Sequence, residues 1–135
     1  MDIRTDGIRY SLEDLRGIIE TLRSDTGCPW DRKQTHVSLK GCTMEEAREV
    51  LEGIDLYEKT GEWDNLCEEL GDVLLQVVMH SAIAQEEGIF TLDDVIQGIA
   101  EKMVRRHPHV FGDGSDAGLS WEEIKRQEKS DQSRP

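Results

Sequence analysis

Aromatic side chains make up only 5% of this 135-residue chain, and it holds just three prolines and three cysteines. So few large apolar groups make a thin core for a single copy, and a homodimer that covers a leftover apolar face is expected. Cys28, Cys42 and Cys67 are odd in number and lack Cys-x-x-Cys spacing. That excludes a disulfide framework and fits reduced thiols in a cytoplasmic protein. No basic residue flanks Cys28 closely enough to make it a nucleophile. No run of about 18 apolar residues is present to span a bilayer. The opening Met-Asp-Ile-Arg-Thr-Asp lacks the basic start and apolar stretch of a secretory signal. Positive charge is scarce as well: Lys+Arg 16 against Asp+Glu 29 leaves a net charge of −13. Such a surface argues against nucleic-acid polymers and anionic membranes as partners. It does not exclude a nucleotide, because bound Mg²⁺ reverses the field that phosphates feel. There is no Gly-x-x-x-x-Gly-Lys loop, no zinc motif and no Ser/His/Asp order that suggests a triad.

What the chain does contain is helical periodicity. Ser11 precedes Leu12, Leu15, Ile18, Ile19 and Leu22 at helix spacing, with Asp14 as its capping partner. The stretch 25–34, with Gly27 and Pro29, reads as a loop. A second helix is expected from near Val37 to Glu58, with a break around Gly41 and a core stripe of Met44, Ala47, Val50, Leu51 and Ile54. Gly61 ends it and Asp64 caps the next helix, which runs to about Glu87 and is apolar over most of its circumference. Thr91 with Asp94 starts a fourth helix that ends before Pro108. A short helix is expected at 120–127, after a glycine-rich linker. The expected fold is all-α: a four-helix bundle in one domain, residues 1–128, with a frayed tail at 129–135.

Two matched pairs of acids stand out. Glu46 with Glu49, and Glu69 with Asp72, lie three residues apart on neighbouring helices. That spacing puts both members of a pair on one helix face. On the third helix Glu69, Asp72, Gln76 and His80 share a polar strip that must be satisfied, at a cost of several kcal/mol if it is not. A cation, water, or salt bridges from Arg48, Arg105 or Arg106 would each serve. Oxygen-only donors favour Mg²⁺ or Mn²⁺ over zinc. Glu45, Glu52 and Glu68 read as a solvated acidic face, with Glu45 an additional candidate site residue. His80 reads as a hydrogen-bonded histidine rather than a general base, and His107 and His109 as structural.

Lys102, Arg105 and Arg106 end the fourth helix, where cations favour the helix dipole and where they can also clamp phosphates. Trp30 and Trp121 serve equally well as base-stacking or packing residues. Metal-activated attack of water on a phosphoanhydride needs the fewest further parts.

These segments carry a resemblance. Glu45-Glu46-Ala-Arg-Glu49 followed by Glu69-Leu-Gly-Asp72 resembles the signature of MazG-type nucleoside triphosphate pyrophosphohydrolases. Gly27-Cys-Pro-Trp-Asp31, Gln34-Thr-His36, the segment 68–78, Arg105-Arg-His-Pro-His-Val-Phe111 and Trp121-Glu-Glu-Ile-Lys125 are also similar to MazG segments, in the same order. Arg48 departs from the pattern, since relatives often carry an aromatic residue there. The stretch 40–44 is commonly more apolar in relatives. The resemblance implies an all-α dimer that hydrolyses a nucleoside triphosphate to the monophosphate and pyrophosphate. It implies Mg²⁺ held by Glu46, Glu49, Glu69 and Asp72, with Lys102, Arg106, Trp121 and Lys125 near the substrate phosphates; Arg105 joins them as a substrate-binding candidate from the basic cluster. The competing expectation is a non-catalytic helical module that binds a nucleotide or a protein.

Overall fold

The computed structural model describes residues 7–112 and 121–132, with the side chains of 122–129 in the latter stretch. Seven helices follow one another: α1 (Leu12–Leu22), α2 (Pro29–Arg32), α3 (Lys40–Thr60), α4 (Asp64–Glu86), α5 (Leu92–Arg105), α6 (Pro108–Phe111) and α7 (Trp121–Gln132). No strand occurs among the described residues, as the periodicity predicts. The chain divides into two compact units, residues 1–92 and 93–135.

In the first unit α4 packs against both α1 and α3. The Ser11 amide donates to Asp14 Oδ2 (2.8 Å) and the Asp14 amide donates to Ser11 Oγ (3.1 Å), so the expected capping box starts α1. The core gathers Ile19, Leu39, Val78, Met79, Ala82, Ile83 and Leu92, with Leu15, Leu22 and Leu75 against it. Each fully buried aliphatic side chain contributes about 1.5–3 kcal/mol. Arg23 ties the segment between α1 and α3 to this core. Its guanidinium donates to the Asp31 and Gln34 carbonyls (2.7 and 3.1 Å) and, as a fork, to Glu86 of α4 (2.7 and 3.0 Å).

Several expectations need correction. The 25–34 stretch contains α2, for which Pro29 pre-sets the first backbone angle at the N-terminus. α3 is unbroken from Lys40, because Gly41 falls in its first turn, where the amide needs no helical partner. Asp64 lies inside the first turn of α4; the cap position is Trp63 and makes no side-chain bond. α7 runs from Trp121 to Gln132, longer than the expected helix at 120–127. The expected linker, residues 112–118, lies outside the described residues apart from Gly112. Gly61 does end α3, at φ 80°, with its amide on the Tyr57 carbonyl (2.8 Å).

The largest departure concerns α3, whose apolar stripe faces outward. Met44, Leu51 and Ile54 are 74%, 61% and 40% exposed. Its inner edge is instead Glu46, Glu49, Val50, Gly53 and Leu56. On α4, Leu70, Leu74 and Val77 are also exposed, although the same helix is buried from Val78 to Ala84 apart from half-buried His80.

The second unit holds the described parts of α5, α6 and α7. Among its described residues Ile124 is buried, and Arg105 and Arg106 both donate to the Glu128 carboxylate of α7.

Candidate metal centre

Helix spacing builds the centre. Glu46 and Glu49 sit one turn apart on the inner edge of α3, and Glu69 and Asp72 one turn apart on the facing edge of α4. α3 and α4 run antiparallel past Gly61, so one pair meets the other. One oxygen from each of the four residues lies within 4.8 Å of every other. All four side chains are half-buried, and Oε2 of Glu46 and Oε2 of Glu69 are buried with no hydrogen-bond partner.

A glycine allows this approach. A Cβ at Gly53 would stand 3.1 Å from both Asn65 Oδ1 and the Leu66 Cα. The α4 backbone therefore passes α3 one turn from Glu49, and Leu66 is one turn from Glu69.

The acids strain against one another. A hydrogen bond with Glu49 is the main cause that pushes the Glu69 carboxyl up to about 7, followed by burial and the charges of Glu49, Asp72 and Glu46. Glu46 is also raised, first by burial and then by Asp72 and Glu49. Protonation of these carboxyls relieves the same repulsion that a cation between them would relieve. Four converging carboxylates, two of which each hold a buried oxygen without a partner, match the donor set of a hard divalent ion.

The competing salt bridges do not reach this cluster. Arg48 donates to Glu45 and Glu52 along the outside of α3, and the pull of Arg48 lowers the Glu45 carboxyl. Glu45 is an exposed ion-pair partner of Arg48 and also hydrogen-bonds to Glu49, so it borders the cluster. Arg105 and Arg106 pair with Glu128. Burial would push the Glu128 carboxyl up, but the bonds from both arginines hold it below the usual range.

Among the other expected residues, Lys102 is half-buried on α5 and Lys125 lies 3.9 Å from Glu122 on α7. Trp121 opens α7, with its side chain outside the described residues. Trp30, on α2, is 56% exposed and free of the core. The thiols of Cys28, Cys42 and Cys67 are free. No helix among the described residues is long and apolar enough to cross a membrane.

The Gln76 and His80 end of the polar strip on α4 is satisfied from across the helix pair. Gln76 Oε1 accepts from Thr43 Oγ1 (2.9 Å), and His80 meets both Thr43 and His36. Sequence reasoning placed Gln76 and His80 on the strip but missed Thr43. The available signal was its position one turn before Glu46, on the same side of α3.

Comparison with known proteins accords with this geometry. The family described as the MazG nucleotide pyrophosphohydrolase domain matches residues 34–111. The chain belongs to the MazG family. A nucleoside triphosphate pyrophosphohydrolase/pyrophosphatase MazG of Thermotoga maritima is 57% identical over 118 residues, covering 87% of this chain and 45% of that protein. The nucleoside triphosphate pyrophosphohydrolase of Escherichia coli K12 is 42% identical over 125 residues, covering 88% and 46%. YabN of Bacillus subtilis, itself uncharacterized, is 54% identical over 126 residues, covering 90% and 25%. The chain thus spans between a quarter and just under half the length of these curated MazG relatives. The crystal structure of a mazG-related protein from Thermotoga maritima superposes with a TM-score of 0.62 at 31% identity, covering 91% of this chain and all of that one.

Proposed function

We propose that this MazG domain is a Mg²⁺-dependent nucleoside triphosphate pyrophosphohydrolase that yields a nucleoside monophosphate and pyrophosphate. The observation that carries the reading is the convergence of four carboxylates with two buried, unpartnered oxygens. Family membership supports the reaction class.

In this reading Glu46, Glu49, Glu69 and Asp72 hold the cation, with Mn²⁺ as a substitute. A bound divalent ion supplies Lewis acidity to a phosphate oxygen and lowers the pKa of water that attacks the α-phosphorus. The acids would fix where the ion stands and, through it, orient the phosphate and the attacking water. Lys102, Arg105 and Arg106, with Trp121 and Lys125, take up the triphosphate and the leaving pyrophosphate. The Arg105 and Arg106 guanidiniums already bind one oxyanion group, the Glu128 carboxylate. No covalent nucleophile takes part. A homodimer would cover the outward apolar stripe of α3.

The test is incubation with a mixture of ribo- and deoxyribonucleoside triphosphates and Mg²⁺, followed by anion-exchange chromatography. Monophosphate with pyrophosphate is the expected result. Orthophosphate release, or nucleotides left intact, overturns the reading.

A further inference from the structure

The polar side chains beyond the acid cluster form one continuous chain of contacts. His36 Nε2 lies 3.0 Å from Glu87 Oε1, and His36 Nδ1 lies 2.9 Å from His80 Nδ1. His80 Nε2 lies 3.1 Å from Thr43 Oγ1, which is 2.9 Å from both Gln76 Oε1 and the Leu39 carbonyl. The two imidazole planes are parallel to within 5°, with centroids 5.1 Å apart. That separation is close to the nitrogen–nitrogen distance plus two ring radii. The rings therefore meet edge to edge in nearly one plane, as an in-plane hydrogen bond requires, and not face to face.

The direction of each bond follows from its acceptors. Thr43 has one hydroxyl hydrogen and faces two carbonyl oxygens, so it donates toward them and accepts from His80 Nε2–H. His80 then has a lone pair at Nδ1, in keeping with the lowering of its pKa by burial and by His36. His36 Nδ1–H fills that lone pair, and its Nε2 faces the Glu87 carboxylate, a contact that carries a hydrogen bond only in the imidazolium form. Each contact fixes the next, ending on the rotor of Thr43.

Position gives the chain its meaning. Thr43 is one turn before Glu46 on α3, and Gln76 is one turn after Asp72 on α4. Their bond crosses between the helices immediately beside the cluster. At the cluster's other end the helices touch at Gly53 and Leu66. The four acids are thus held between a steric contact on one side and a polar bridge on the other. Like charges drive the two pairs apart, and a bridge one turn away resists that separation.

We propose that Thr43, bridged to Gln76 and oriented by the Glu87–His36–His80 chain, is a positioning residue that sets the spacing of the two acid pairs for a divalent cation. The inference rests on the metal reading of the cluster. Neither Thr43 nor Gln76 need touch the ion.

The test is binding of Mn²⁺ to the metal-free protein, followed by calorimetry and by electron paramagnetic resonance, without nucleotide. Thr43→Val is close in shape but removes the hydroxyl, and Thr43→Ser keeps it. Thr43→Val should weaken Mn²⁺ binding by about 10-fold or more, the scale of outer-shell changes at metal sites. Thr43→Ser should bind like wild type, and Gln76→Met should weaken binding as Thr43→Val does. Should Thr43→Val lose its helical circular dichroism, Gln76→Met decides the matter alone. Wild-type affinity in the variants, or a lower Tm with unchanged affinity, overturns the positioning role while leaving the metal site standing. Wild-type protein that takes up no Mn²⁺ overturns the metal reading and this inference together.

Discussion

Gly53 of α3 lies against Leu66 of α4 so closely that a Cβ at Gly53 would stand 3.1 Å from the Leu66 Cα. The acids are one turn away on each helix, so this contact sets how near Glu49 comes to Glu69. Helix propensity would favour alanine over glycine by about 1 kcal/mol, but the neighbour here is backbone and has little room to yield. Gly53→Val should lower stability by about 1–3 kcal/mol through overpacking and weaken divalent-ion binding with it. Thermal unfolding and Mn²⁺ titration check both. An unchanged Tm would mean that the helices have slack at this point.

The four acids repel in the metal-free state, and that predicts an inverse relation between stability and activity. Glu49→Gln and Asp72→Asn should reduce pyrophosphate release by more than the roughly 10–100-fold typical of outer-shell partners. Without added metal, both variants should melt at or above the wild-type temperature, since each removes one of four mutually repelling, half-buried charges. Near-normal turnover in either variant would disprove the ligand assignment.

Glu69 gives a pH dependence with a definite sign. Its carboxyl is raised to about 7, above its ordinary 4.5, mainly by the bond with Glu49. The folded, metal-free chain therefore holds a proton that the unfolded chain has released between those values. This contribution to stability is complete below about pH 4.5 and disappears as pH rises through 7. Metal binding runs the other way, since the ion displaces the proton, so Mg²⁺ affinity should climb across the same window. Melting curves and Mg²⁺ titrations from pH 5 to 8 check this, and Glu69→Gln should flatten the stability trend.

The thiols lie outside the proposed chemistry. Replacing Cys28, Cys42 and Cys67 together by serine should leave turnover within about twofold, in line with substitutions away from key contacts. A large loss in a folded triple variant would point to a thiol nucleophile and against direct attack by water.

The sequence made the acid pairs, the capping box at Ser11 and Asp14, and the stop at Gly61 readable, because each depends on spacing within a few residues. It did not make the orientation of α3 readable. Periodicity showed two faces, and burial of the apolar one is the ordinary outcome. Here Met44, Leu51 and Ile54 point outward while Glu46 and Glu49 point in. Which face meets α4 is settled by Gly53 and the Thr43–Gln76 bridge, contacts between positions far apart in the chain. Arg48, unusual beside the resemblance, is accounted for by Glu45 and Glu52 on the same helix.

Among the described residues α3, 21 residues long, packs chiefly against α4 along one edge. A rod fastened that way rocks about its seam more readily than it slides or unwinds. The gap that rocking widens is the one where the acids meet. Slow swinging of α3 would then govern how quickly an ion enters and leaves, and amide exchange along that helix would record it.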